Sequence, residues 1–262
     1  MLIVGELING MYKKVGEALA KRDNKFIQEL ALTQVKNGAN ALDLNCGPLS
    51  KDPTSDMCWL VETVQNATTT TLCLDSTKEK AIEAGLKIAK NKTIINSTNA
   101  DEDKLKSLIP LAKNFNSSLI ALAMDKKGIP QNKDQRVELA VKILESAANM
   151  NFDTNNLLID PVLMPINVAQ AQCKDILEAL KEFKMLTDPA VKTIIGLSNV
   201  SQGSKLRGLI NRSFLVMAVA YGLDAAILDP LDEELMNALV CAELILNKHI
   251  YCDSFLNAYK NK

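Results

Sequence analysis

Short β-rich runs recur along the whole chain, each followed by a segment with helical periodicity. They are Leu2 to Glu6, Ala41 to Asn45, Thr71 to Asp75, Thr93 to Asn96, Leu119 to Ala123, Leu157 to Asp160, Thr193 to Leu197 and Ala225 to Leu228. Continuous apolar runs such as Leu157-Leu158-Ile159 suit strands buried on both faces, as in parallel sheets covered by helices. The intervening segments carry helix signals. Ser76 and Glu79 have capping-box spacing, Asn167 and Gln170 a variant of it, and Leu105, Leu108, Ile109, Ala112 and Phe115 repeat every three or four residues. Eight strand-helix units in 262 residues, with no Pro/Gly/Ser-rich linker or charge block between them, predict an α/β fold. The arithmetic is that of a (β/α)8 TIM barrel, a single domain over 1–262. The rival is an open doubly wound sheet. Its G-x-G-x-x-G marker after the first strand is missing, since Gly5 and Gly10 lack that spacing.

Composition narrows the chemistry. The net charge is −1, from 30 basic and 31 acidic residues, so there is no positive surplus to hold a nucleic-acid backbone or an anionic membrane. Six cysteines are scattered without a CxxC pair, which disfavours a zinc ribbon, an iron–sulfur motif or a disulfide framework and suits a reducing cytoplasm. The apolar start from Met1 to Val4 has no basic region before it, and Phe214 to Leu223 is about half of the ~20 residues that span a bilayer. The latter reads as a core helix, with Phe214 and Met217 as core residues. His249 is the one histidine and is placed in the last helix, leaving acid–base chemistry to carboxylates, amides or the substrate.

In a barrel of this kind the reacting groups gather at the C-terminal ends of the strands. Those ends are unusually polar here: Glu6 and Asn9, Asp43 and Asn45, Asp75, Asn96, Asp160, Ser198 and Asn199, and Asp229. Any one of them could cap a helix or hold a loop. Carboxylates and carboxamides from at least five strands, with no run of Lys or Arg beside them, point instead to a flat, neutral, polar ligand rich in N–H donors. A carboxylate accepts two parallel bonds from a guanidine-like edge, and the edge of a pterin ring is one. The same mouth would also suit a divalent cation held by Asp75, Asp160 and Asn96, although no D-x-D cluster or EF-hand loop is present.

Six motifs extend this reading. They are Gly5-Glu6-Leu7-Ile8-Asn9-Gly10, Ala41-Leu42-Asp43-Leu44-Asn45, Cys73-Leu74-Asp75-Ser76, Ile95-Asn96-Ser97-Thr98, Ile159-Asp160-Pro161 and Gly196-Leu197-Ser198-Asn199-Val200-Ser201. In this order and on these strand ends, the chain resembles the methyltetrahydrofolate:corrinoid/iron-sulfur protein methyltransferases of the reductive acetyl-CoA (Wood-Ljungdahl) pathway. These belong to the wider pterin-binding barrels. The resemblance implies methyltetrahydrofolate as substrate and methyl transfer to the cob(I)amide of a corrinoid/iron-sulfur protein, the cobalamin or other corrinoid being carried by that partner. It implies that Asp75, Asn96 and Asp160 bind the pterin ring, and that Asn199 sits by the methyl-bearing nitrogen, supported by Asp43, Gly196 and Ser198. Gln202 and Arg207 would touch substrate or corrinoid. A homodimer in the cytoplasm is likewise implied. The family carries Arg after Gly-Glu, whereas Leu7 stands here and is expected to pack in the barrel wall.

The chemistry fits this assignment. A methyl group on a tertiary amine is a poor electrophile unless the departing nitrogen is protonated or hydrogen-bonded. An amide donor such as Asn199, whose bond strengthens as charge develops, lowers that barrier. A proton would come from solvent through a chain involving Asp43. Dihydropteroate synthase, another pterin barrel, is disfavoured because it has Asp-Pro-Gly-x-Gly-Phe on the sixth strand, where Asp160-Pro161-Val162-Leu163 stands here. A methyltransferase serving a different corrinoid partner, in O-demethylation or methylamine systems, and a non-catalytic folate-binding barrel are the remaining alternatives. Asp224 and Asp229 read as turn and cap residues, and Cys46 and Cys73 as packing.

Overall fold

The computed structural model describes residues 1–251, so Cys252 and the last residues of the expected domain lie outside the described part. Eight parallel strands close into a barrel in sequential order. They are β1 (Leu2–Asn9), β2 (Ala41–Asn45), β3 (Thr71–Asp75), β4 (Thr93–Asn99), β5 (Ser118–Leu122), β6 (Leu157–Asp160), β7 (Lys192–Gly196) and β8 (Ala225–Leu228). Around them lie α1 (Lys13–Lys21), α2 (Asn24–Lys36), α3 (Pro53–Gln65), α4 (Glu79–Ile88), α5 (Glu102–Asn114), α6 (Lys133–Asn149), α7 (Ile166–Ala169), α8 (Gln172–Phe183), α9 (Arg207–Ala220) and α10 (Glu233–Ile245). The expected TIM barrel is therefore the fold.

Side-chain alternation along the strands explains both the core and the mouth. One buried residue from each strand, Val4, Ala41, Cys73, Ile94, Ile120, Leu158, Ile194 and Ala225, fills the barrel interior. Because successive residues on a strand face opposite sides, the residue two places further on also faces inward, one level nearer the mouth. Those positions are Glu6, Asp43, Asp75, Asn96, Leu122, Asp160, Gly196 and Ile227, and all of them line the mouth. The opposite parity carries Leu42, Leu44, Leu72, Leu74, Ile95 and Ile159, which pack under the helices.

Two strands run longer than their apolar patterns predict, and each carries a bulge. In β1, Gly5 pairs with Leu42 and Ile8 with Leu44, so Glu6 and Leu7 together oppose Asp43. The backbone N–H of Leu7 is satisfied by Oε1 of the fully buried Gln34 at 3.1 Å. Gly5 is required there, since a Cβ would lie 2.4 Å from that oxygen. In β4, Ser97 is the extra residue between Asn96 and Thr98. Bulges of this kind re-aim the residues that follow them.

Several local expectations are corrected. Ser76 does not cap α4: its Oγ accepts the N–H of Lys78, which delays the helix start, and Glu79 instead binds Lys104 and Ser107 of α5. Asn167 lies inside α7, which starts from Pro165 without a side-chain cap. Met217 is 49% exposed rather than core. Helix α9 is apolar on several sides, so periodicity could not choose its inner face, and Phe214, Leu215, Ala218 and Val219 occupy it. Asp232, not Asp229, caps α10; Asp229 holds a turn through the N–H of Leu231. Asp224 pairs with Lys184 and accepts from the backbone of Thr193. His249 lies beyond α10, 3.4 Å from Glu243. Among the described residues, no helix is long and apolar enough to cross a membrane.

Candidate active site

The strand ends enclose a cleft of about 490 Å³, within the range of small-ligand sites. It brings together Asp43, Asp75, Asn96, Asp160, Gly196, Ser198, Asn199, Gln202 and Arg207, every position to which the resemblance gave a role, whereas the polar strand-end residues Asn45 and Asp229 do not line it. Glu6 and Asn9 join them. Residues without a distinctive polar signal also line it, among them Met11, Tyr12 and Ser97; Leu122 and Ile227 could have been found by counting two places on from Ile120 and Ala225.

One wall is a cluster of carboxyls and amides, with Asp43 and Asp160 buried and Asn45, Asp75 and Asn96 half-buried. Asn96 donates to Asp43 Oδ1 at 3.1 Å, and Asn45 donates to Asp75 Oδ2 at 2.5 Å. Burial, reinforced by the neighbouring charge of Asp75, holds the Asp43 carboxyl well above the ordinary range. Burial likewise pushes Asp75 up to about 6, against the opposing bond from Asn45. Asp160 closes this wall and is pushed up to about 7 by burial, although its Oδ1 accepts the N–H of Val162 at 2.7 Å. The loop after Asp160 is fixed by Arg136 of α6, fully buried, whose guanidinium donates to the carbonyls of Pro161 and Asn132 and to Gln172 Oε1 at 2.8–3.0 Å.

The other wall is the turn after β7. Gly196 leads into a 3-10 turn, Leu197–Asn199, which presents Ser198 and Asn199 to the cleft. Arg207 braces this turn by donating to Ser201 Oγ at 3.2 Å and to the carbonyl of Ser198 at 3.4 Å. Ser198 Oγ donates to Glu6 Oε1 at 2.7 Å. Burial pushes Glu6 up to about 7; the Ser198 bond opposes this, and the charge of Asp229 adds to it. Leu7 is half-buried and is not among the residues lining the cleft. Among the described residues, no group of three or more His, Cys, Asp or Glu side chains is arranged to hold a metal ion.

This arrangement can bind a flat heterocycle with several N–H donors at one wall while offering an amide and a hydroxyl to an atom at the other. The chain is similar to several known proteins. The chain is 29% identical over 265 residues to the methylcorrinoid:tetrahydrofolate methyltransferase of Eubacterium limosum, an alignment covering 99% of this chain and 96% of that protein. It is 29% identical over 240 residues to the methionine synthase of Mycobacterium tuberculosis, covering 87% of this chain but 20% of that much longer protein. In three dimensions it resembles the 7,8-dihydropteroate synthase of Vibrio fischeri, with a TM-score of 0.68 at 14% identity over 95% of this chain and 94% of that one, a likeness of fold. Residues 7–229 match the family described as pterin binding enzyme; with a carboxylate- and amide-lined mouth at the ends of eight strands, this chain belongs to that family.

Proposed function

We propose that this protein is a methyltransferase that moves a methyl group between the N5 nitrogen of a tetrahydrofolate and the corrinoid of a separate protein. The observation that carries the reading is the pairing, within one cleft, of a wall formed by the buried Asp160 and the half-buried Asp75 and Asn96 with the Asn199 amide. The wall suits the amino and N–H edge of a pterin, because its carboxylates are desolvated and their charge-assisted bonds to ring donors gain from that burial. Asp43 orients Asn96 through their hydrogen bond, and burial together with the charge of Asp75 favours its uncharged form. Asn199 points its amide at the methyl-bearing nitrogen, where it stabilises charge as the carbon–nitrogen bond breaks. Gly196 leaves room for that amide, Arg207 keeps its turn in place, and Gln202 completes the mouth beside the pterin.

The corrinoid supplies the cobalt that takes or gives the methyl group. Its carrier has a place to dock. Met11, Leu49 and Leu206, on loops that follow β1, β2 and β7, and Val168, in the short α7 after β6, are 65–88% exposed on the mouth side of the barrel, an apolar rim suited to a protein partner. The sequence motifs favour the corrinoid/iron-sulfur protein of the reductive acetyl-CoA pathway as that partner. The name of the Eubacterium limosum relative favours a second reading, in which a methylcorrinoid protein delivers the methyl group to tetrahydrofolate. A cytoplasmic homodimer completes the proposal. The exposed Leu209, Val216 and Met217 of α9 offer an apolar face for it, and light scattering reads the oligomeric state.

The decisive experiment mixes the pure protein with methyltetrahydrofolate and cob(I)alamin and follows the cobalt absorbance. Methylcobalamin forming no faster than without protein sinks the enzyme reading. Asn199→Ala is expected to slow transfer on the order of 10²–10³-fold while leaving folate binding nearly intact. Equal loss of both would make Asn199 a binding residue only.

A further inference from the structure

Methyl transfer from the folate leaves a nitrogen that needs a proton, and transfer to the folate releases one. Two carboxyls at the mouth could exchange it, the buried Asp43 and the half-buried Glu6. Asp43 is 3% exposed and is bonded to Asn96 in the pterin wall. Glu6 lies next to the turn that carries Asn199. Although 192 positions apart in sequence, Glu6 and Ser198 meet at 2.7 Å, and both line the cleft. Ser198 precedes Asn199, on a turn braced by Arg207. We infer that Glu6 holds the proton exchanged at the methyl-bearing nitrogen and passes it through the Ser198 hydroxyl, an inference that rests on the methyl-transfer reading above.

The groups that face Glu6 set its state. They are the carboxylate of Asp229 after β8, the guanidinium of Arg207 at the start of α9, the phenol of Tyr12 before α1 and, from β2, Asp43. Burial and Asp229 favour the protonated acid, the Ser198 bond and Arg207 the carboxylate, and the balance falls at about 7. An acid poised there serves transfer in either direction.

The atoms balance as follows. When the folate is the donor, the carbon leaves N5 for the corrinoid cobalt, which supplies the pair for the new bond, and N5 keeps the electron pair of the broken one. The protonated Glu6 gives its proton to Ser198 Oγ as Ser198 gives its own towards N5. Glu6 ends as carboxylate, Ser198 is unchanged and tetrahydrofolate carries N5–H. When tetrahydrofolate accepts the methyl group, the proton travels back to the Glu6 carboxylate.

Glu6→Gln keeps a hydrogen-bonding partner for Ser198 but cannot release a proton. Single-turnover rates are measured across pH in both directions, with methyltetrahydrofolate and cob(I)alamin and with tetrahydrofolate and methylcobalamin, alongside pterin binding. In the unaltered protein, transfer from folate should fall as pH rises through about 7, and transfer to folate should rise through the same point. Glu6→Gln should slow both on the order of 10²-fold, abolish that inflection and leave pterin affinity unchanged. Ser198→Ala should do the same, and the double variant should be no slower than Glu6→Gln alone. Ser198→Ala also reports the relay should Glu6→Gln fail to fold. An inflection retained in either variant, or pterin affinity lost in step with the rate, overturns the inference. An unaltered protein that binds pterin yet moves no methyl group in either direction refutes the methyl-transfer reading itself, and this inference with it.

Discussion

Gly196→Ala separates the placement of the Asn199 amide from everything else the site does. Gly196 has φ −82° and ψ 92°, a conformation open to any residue, so the backbone tolerates alanine. The obstacle is a side chain: a Cβ built there lies 2.9 Å from Asn199 Nδ2 and 3.8 Å from its Cγ. Ordinary contact begins near 3.4 Å, so the amide must retreat by about half an ångström or rotate away. A misplacement of about 1 Å in a reacting group costs up to ~10²-fold. Half of that predicts a loss of roughly tenfold in methyl transfer, about 1.4 kcal/mol of transition-state stabilisation. The fold should not suffer. Replacing glycine at a compatible site stabilises by about 0.4–1 kcal/mol through the unfolded chain, or about 1–4 °C in melting temperature. Stopped-flow absorbance of the cobalt gives the rate, fluorescence titration the folate affinity and calorimetry the melting point. A variant that transfers methyl groups at the original rate would show that the amide's position does not matter. One that loses affinity in proportion to rate would make Asn199 part of the binding wall.

Asp160→Asn is expected to stabilise the protein at pH 8, on the order of 1–4 kcal/mol, while weakening pterin binding. Because the folded-state value of Asp160 is raised to about 7, the native state binds more protons than the unfolded chain between about pH 4 and 7. Stability should therefore rise as pH falls through that window, less steeply in the variant; urea midpoints highest at pH 8 would contradict this. Arg136→Met strips the carbonyls of Pro161 and Asn132 and the amide of Gln172 of their donor and is expected to cost about 3 kcal/mol or more. Thermal denaturation measures it, and an unchanged melting point would mean that this loop stands without the guanidinium.

Much of the site was legible in the sequence because strand alternation is a strict rule. Once Val4, Ala41, Cys73, Ile94, Leu158 and Ile194 are placed inside the barrel, Glu6, Asp43, Asp75, Asn96, Asp160 and Gly196 follow two residues later at its mouth. What escaped depended on contacts distant in the chain. The bond between Glu6 and Ser198 joins β1 to the turn after β7, and no local pattern announces it. The bulges were missed because the apolar pattern ends where they begin, so β1 and β4 seemed three residues shorter than they are. Helix ends failed at Ser76 and Asn167 because a side chain two residues from a competing backbone N–H, or a proline, took over the start. The outer face of α9 stayed hidden because a helix apolar on several sides leaves its orientation to its neighbours.

The bulge in β1 sets a condition on transplanting this chemistry to another barrel. Were the same residues to run as a regular strand, without the bulge at Leu7 that Gln34 supports, strict alternation would turn Ile8 into the mouth and Asn9 towards the helices, the reverse of what is found. A graft must therefore carry Gly5 to Asn9 together with the glutamine beneath them, as one cassette. Copying the polar side chains alone would deliver the right residues facing the wrong way.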